Sequence, residues 1–202
     1  MKLLLTSTVE FFAPKLPLIF GDKLQDMSVL CVPTAAYVEE GYEAWLKPEL
    51  AAIKPLVKSF VEFDIKNKTQ SELLDTLLNI DILYVTGGNT YYLLEAMNEI
   101  KFEEVLDVFF KRGGIYLGSS AGSIVMCPDI DFIGDVDDSS KANLESTTAH
   151  DLIDFSIVPH VNQKKFHHAF EDILSGTNKD KKTIGLRDDQ ALWIEDGDMR
   201  VY

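Results

Sequence analysis

Positive charge, cysteine, histidine and long apolar runs are all scarce in this 202-residue chain, and each shortage excludes something. Nineteen lysines and arginines stand against 33 aspartates and glutamates, a net charge of −14. Such a surplus repels phosphate backbones and anionic membranes, and no dense basic patch offsets it, so nucleic acid is set aside as a partner. Two cysteines cannot make a disulfide framework. Cys31, within Val29-Leu30-Cys31-Val32, and Cys127 read instead as small core residues. The run Met1-Lys2-Leu3-Leu4-Leu5 ends at Thr6-Ser7-Thr8 without a cleavage-site pattern, and no later stretch is long enough to span a bilayer. The expectation is a cytoplasmic protein with no membrane partner. Four histidines leave few candidates for acid–base chemistry.

What is present is ordinary globular material, 46% hydrophobic and 26% charged, enough for one domain over residues 1–202 with a continuous core. Short β-branched or aromatic runs (Leu3 to Thr6, Val29 to Pro33, Ser59 to Ile65, Ile82 to Thr86, Ile115 to Gly118, Phe155 to Pro159) alternate with longer amphipathic ones. Glu40 to Lys58 has helical spacing, with breaks or kinks expected at Pro48 and Pro55. Thr69-Gln70-Ser71-Glu72 has the form of a cap opening Leu73 to Leu78. Thr90 to Met97, Phe102 to Lys111 and Asn162 to Leu174 read as further helices. This alternation predicts an α/β three-layer sandwich with a mostly parallel central sheet. Thr183 to Leu186, Ala191 to Glu195 and Arg200 to Tyr202 predict antiparallel strands near the C-terminus, with Asp196-Gly197 as a hairpin turn.

In an open α/β sheet the functional loops gather at the carboxyl ends of the strands. Three ends are informative. Gly118-Ser119-Ser120-Ala121-Gly122 follows an apolar strand and matches a nucleophile elbow, a strained turn that exposes the serine hydroxyl and needs small neighbours. Ser120 is the candidate nucleophile, and the amide of Ala121 a candidate oxyanion donor. A glycine- and serine-rich turn that holds a phosphate at a helix N-terminus would look similar. After Ile82 to Thr86 comes Gly87-Gly88-Asn89-Thr90, where Gly88 could supply a second oxyanion amide, Asn89 could cap the next helix, and Asn89 and Thr90 are candidate substrate contacts. After Phe155 to Val158 comes Pro159-His160, and His160 is the candidate general base that a serine nucleophile requires. His150 reads as a surface residue, and His167 with Glu171 as a solvated pair rather than a metal site. Of the acidic stretch Asp129, Asp131, Asp135, Asp137 and Asp138, any one could orient the imidazole.

Taken together, these segments resemble the peptidase E family of serine dipeptidases, related in fold to class I glutamine amidotransferases. The resemblance is carried by Leu3-Leu4-Leu5-Thr6-Ser7, Val32-Pro33-Thr34-Ala35-Ala36, Gly87-Gly88-Asn89-Thr90-Tyr91-Tyr92-Leu93-Leu94, Gly118 to Ser123, Cys127-Pro128, Val158-Pro159-His160 and Ile184-Gly185-Leu186. It implies that Ser120 is the nucleophile, His160 the base, and Gly88 with Ala121 the oxyanion hole. It also points to Asp135 as the third triad member. Cleavage of dipeptides after an N-terminal aspartate is implied as well, which needs a positive group beside the substrate. The arginine that some members carry after the histidine has no counterpart here, and Lys164, Lys165 and Arg187 are the alternatives.

The reading is a serine peptidase of small peptides, monomer or homodimer, with no cofactor and no metal. Two rivals remain: an esterase or amidase with the same triad, and a non-catalytic module whose glycine-rich turns hold a small molecule. A glutamine amidotransferase would require cysteine at the elbow, and Cys127 is displaced from it.

Overall fold

Alternating side chains along each central strand feed two separate hydrophobic layers. A computed structural model describes residues 1–166 and 182–202. In strand β1 (Lys2–Thr6), Leu3 and Leu5 join one core while Leu4 joins the other, as the two-residue period of a strand requires. β2 (Ser28–Val32) behaves likewise: Leu30 and Val32 face one way, Val29 and Cys31 the other. Both faces of the sheet are therefore buried along its central strands, which explains why those strands read as continuous apolar runs, whereas the edge strands β3 (Ser59–Glu62) and β9 (Asp198–Val201) are largely exposed.

The remaining strands are β3 (Ser59–Glu62), β4 (Ile82–Val85), β5 (Ile115–Ser119), β6 (Ser156–Val158), β7 (Thr183–Gly185), β8 (Ala191–Glu195) and β9 (Asp198–Val201). The main sheet has the order β3-β2-β4-β5-β1-β8-β9. Its first five strands are parallel; β8 runs antiparallel to β1 and pairs with β9 across the turn at Asp196 and Gly197. The expected mostly parallel sheet with antiparallel C-terminal strands is met.

Helices α1 (Val9–Phe12), α2 (Leu16–Phe20) and α3 (Glu43–Ile53) supply side chains to one core. Helices α4 (Gln70–Leu77), α5 (Thr90–Glu99), α6 (Phe102–Lys111) and α7 (Ala121–Ile124) supply the other. Thr69 and Glu72 form the reciprocal capping box expected of α4. Pro48 does not end α3, because Leu46, Leu50 and Ile53 stay on one buried face and that packing outweighs the one backbone bond the proline cannot make. Among the described residues, no helix is long and apolar enough to cross a membrane.

Three expectations need correction. β7 is not part of the antiparallel edge; it pairs in parallel with β6 in a separate two-stranded sheet, so the strand before His160 is not a neighbour of β5. His150 is buried rather than on the surface, with its ring nitrogens 3.4 Å from Glu103 Oε1 and 3.3 Å from Met97 Sδ. Of the helix expected from Asn162, the described part is a short 3₁₀ turn at Lys164–Phe166; the rest, with His167, His168 and Glu171, lies outside the described residues. Both cysteines are free and buried in the core.

At the elbow, α7 approaches the sheet so closely that a Cβ on Gly122 would lie 2.2 Å from the Val85 carbonyl oxygen. Gly122→Ala is expected to lower stability by about 1–3 kcal/mol, the usual cost of overpacking a tight interior contact. The check is the urea midpoint followed by circular dichroism. An unchanged midpoint would mean that α7 can move away from β4 without loss.

Candidate active site

The elbow is strained in the way its sequence suggests. Ser120 has φ 48° and ψ −109°, a conformation that costs a non-glycine residue on the order of 1–3 kcal/mol and persists only where the surroundings hold it. Those surroundings are specific: the Ser120 amide donates to the Thr6 carbonyl at 3.1 Å, Ser123 Oγ donates to the same carbonyl at 2.8 Å, and Tyr116 Oη donates to the Gly122 carbonyl at 2.7 Å. The serine is thereby held at the carboxyl end of β5, beside the end of β1.

His160 reaches it from the loop after β6. Its Nε2 lies 3.0 Å from Ser120 Oγ. Its own backbone is left-handed, φ 58°, and its amide donates to Ser7 Oγ at 2.7 Å, which anchors the loop to the end of β1. The Phe166 ring stacks on the imidazole at a centroid distance of 5.1 Å. Burial pulls the His160 pKa below the ordinary histidine value, against the opposing effect of Asp188.

The carboxylate that meets the imidazole is Asp188, not Asp135. Asp188 Oδ1 is 2.6 Å from His160 Nδ1 and accepts from Ser7 Oγ at 3.0 Å. Its Oδ2 accepts from Asn162 Nδ2 at 3.1 Å and Gln163 Nε2 at 2.8 Å. Burial works to raise the Asp188 pKa, but the hydrogen bonds from Gln163 and His160 prevail and hold it below the usual carboxylate range. An ionised Asp188 can only accept, so it fixes the neutral imidazole with its proton on Nδ1 and leaves the Nε2 lone pair toward Ser120. Asp135 is exposed, in the turn after the 3₁₀ segment Asp131–Ile133, and forms no contact with His160. Asp135 is what the resemblance implies, and spacing along the chain does not say which strand ends meet. β8 is antiparallel, so its N-terminal end, with Asp188 just before it, lies where β1 and β5 end.

Gly88 has φ +132°, and a Cβ there would lie 2.1 Å from the Ala35 carbonyl oxygen, so only glycine fits. Among the described residues, neither the Gly88 nor the Ala121 amide donates a hydrogen bond. Asn89 caps α5, accepting from the Tyr92 amide at 3.0 Å; it is fully buried and donates to the Asp138 carbonyl, so its amide group is committed within the protein. Thr90 lines the cavity in front of Ser120, and its amide donates to Asp137 Oδ2 at 2.7 Å. Lys165 also lines this cavity, whereas Lys164 is exposed outside it. Arg187 is exposed and bound to Asp189 at 3.1 and 3.3 Å.

The cavity measures about 400 Å³ and opens over Ser120 and His160, with Gly87 and Gly88 on one wall. One of its lining residues was missed entirely by the sequence reading. Glu49 lies on the apolar face of α3 with Leu46, Leu50 and Ile53, and a carboxylate interrupting such a stripe is the signal that could have found it. Its Oε1 accepts from Ser119 Oγ at 2.5 Å, Tyr84 Oη at 2.6 Å and the Val9 amide at 3.3 Å. Burial raises its pKa, the Ser119 and Tyr84 hydrogen bonds oppose that, and nearby Glu10 adds to it. Ser7 was likewise not singled out, although it directly follows the strand-end residue Thr6.

Comparison with known proteins agrees with this architecture. The model of peptidase family S51 matches residues 6–202. The Listeria innocua protein named uncharacterized peptidase Lin0382 is 30% identical over 178 residues, covering 88% of this chain and 85% of its own. Uncharacterized peptidase Lmo0363 of Listeria monocytogenes is 31% identical over 176 residues, covering 87% and 85%. A crystal structure of a Listeria monocytogenes protein assigned to peptidase E superposes with a TM-score of 0.89 at 29% identity, covering 100% of this chain and 97% of that one. With a family model matched along nearly its whole length and these relatives beside it, the chain belongs to peptidase family S51.

Proposed function

We propose that the protein is a serine peptidase that hydrolyses small peptides through an acyl-enzyme on Ser120. The observation that carries this is the relay of short contacts, 3.0 Å from Ser120 Oγ to His160 Nε2 and 2.6 Å from His160 Nδ1 to Asp188 Oδ1, at the mouth of a cavity of peptide size. The membership in a peptidase family supports it.

In this mechanism His160 Nε2 takes the proton of Ser120 as Oγ bonds to the scissile carbonyl carbon. The free amides of Gly88 and Ala121 receive the oxyanion. The imidazolium, stabilised by Asp188, returns its proton to the leaving amine as the C–N bond breaks. A water deprotonated by the same histidine then releases the acid and restores the serine. Gln163, through Asp188, and Ser7, through Asp188 and the His160 backbone amide, are positioning residues. An aspartate-specific pocket has little support, because Lys165 is the one basic lining residue among the described residues, and Glu10, Glu39, Glu49 and Asp137 share the walls. The substrate proposed is therefore a small peptide without strict preference for N-terminal aspartate.

Ser120→Ala and His160→Ala should each reduce kcat for a cleavable dipeptide by about 10⁴–10⁶-fold, and an organophosphonate should label wild-type protein at Ser120 only. Near-normal hydrolysis by His160→Ala would sink the assignment. Asp188→Asn should lower kcat by about 10⁴-fold with the circular dichroism spectrum unchanged, while Asp135→Asn leaves turnover within about twofold. The reverse pattern would return the role to Asp135.

The pH profile has a definite sign. Only neutral His160 accepts the serine proton, and burial lowers its pKa, so kcat/KM should hold as pH falls to the ordinary histidine value and decline only below it. Removing the Asp188 charge takes away an effect that raises the His160 pKa, so the acid limb of Asp188→Asn should move lower still. An acid limb above the ordinary histidine value would contradict the buried, neutral imidazole.

A further inference from the structure

On the α1 and α3 side of the catalytic cavity, Thr8, Glu10, Phe11, Trp45 and Glu49 form a wall that the reaction scheme does not use. Glu49 is only 4% exposed. All three of its hydrogen bonds fall on Oε1. Oε2 accepts no hydrogen bond among the described residues, and Glu49 lines the cavity. Glu10, from the adjoining helix, is close enough to raise the Glu49 pKa. Glu39 is neutralised by Lys141 at 2.9 Å, whereas no lysine or arginine among the described residues forms a salt bridge with Glu10 or Glu49.

A carboxylate buried beside a second one is relieved by hydrogen bonds, by taking up a proton or by a cation, and a cation held between the two favours the ionised form over protonation. Glu49 and Ser120 line the same cavity, so a cation held by Glu49 would share that cavity with the scissile bond. Trp45 and Phe11 add aromatic faces of the kind that attract ammonium and guanidinium groups. The overall charge of −14 draws cations toward the cavity rather than away from it.

We propose that the Glu10–Trp45–Glu49 wall is a subsite for a cationic group of the substrate, an organic ammonium or guanidinium. The proposal rests on the peptidase reading of Ser120 and narrows its substrate class to peptides carrying a positive charge near the bond that is cut. Two sources have this chemistry: the free α-ammonium of the peptide, and the side chain of a lysine or arginine. Glu10 and Glu49 act as specificity-determining residues and take no part in proton transfer.

Calorimetric titration of the Ser120→Ala protein separates these points, since binding is read without turnover. The probes are matched peptides: Ala-Leu against N-acetyl-Ala-Leu for the α-ammonium, and Ala-Lys and Lys-Ala against their norleucine analogues for the side chain. At least one cationic probe should bind about tenfold or more tightly than its uncharged match, and both Glu49→Gln and Glu10→Gln should remove most of that preference. Glu10 is partly exposed, so its variant keeps the test valid if the buried Glu49→Gln protein folds poorly. Equal affinities within every pair, a preference that survives both variants, or no binding of any probe would overturn the subsite. Organophosphonate labelling of Ser120 in the unmutated protein judges the peptidase reading separately. Labelling with charge-blind binding discards the subsite alone, and charge-selective binding without labelling discards the peptidase alone.

Discussion

Asp188 keeps a negative charge out of water because four donors meet it, and the geometry of the site follows from that arrangement. A buried carboxylate without partners would take up a proton and cease to orient anything. Here Ser7 and His160 occupy Oδ1 while Asn162 and Gln163 occupy Oδ2. These donors come from the end of β1 and from the loop after β6, so one charge ties together segments that are far apart in the chain. The same bonds fix the tautomer and direction of His160, and through it the serine hydroxyl.

The elbow contributes by a different route, through neutral hydrogen bonds and close packing rather than a buried charge. The unfavourable backbone conformation of Ser120 is held by hydrogen bonds from β1, β5 and α7. Thr6 serves this purpose twice: its carbonyl accepts from the Ser120 amide and from Ser123 Oγ, and its own hydroxyl donates to the Gly118 carbonyl at 2.9 Å. The interior position of β1, beside β5, is thus as important to the Ser120 conformation as the serine motif itself.

The electrostatics of the cavity run counter to those expected of an aspartate pocket. Lys165 lies over the Phe166 ring at 4.5 Å, and Arg187 is engaged with Asp189, so little positive charge is available among the described residues to receive a carboxylate. The carboxylates of α1 and α3 instead line the wall next to the elbow. Glu49 shows how such a group is tolerated: a tyrosine, a serine and a backbone amide satisfy one oxygen, at the expense of a raised pKa.

Much of this was legible in the chain. Apolar runs separated by amphipathic segments specify a parallel sheet covered on both faces, and the elbow, the Gly87-Gly88-Asn89-Thr90 turn and Pro159-His160 are short-range features whose chemistry is written in adjacent residues. The boundaries of α5, α6 and β8 follow local propensity, and the start of α5 also its Asn89 cap, effects that act over a few residues. What only the tertiary structure decided were the meetings between distant segments: β7 with β6 rather than the main sheet, Ser7 and Asp188 with His160, and Glu49 with Ser119. Strand order and direction govern these, because an antiparallel β8 brings its starting end, not its finishing end, to the edge where β1 and β5 stop. Sequence by itself determined which residues could do chemistry; the topology of the sheet decided which of many exposed-looking carboxylates was brought within hydrogen-bonding distance and kept from water.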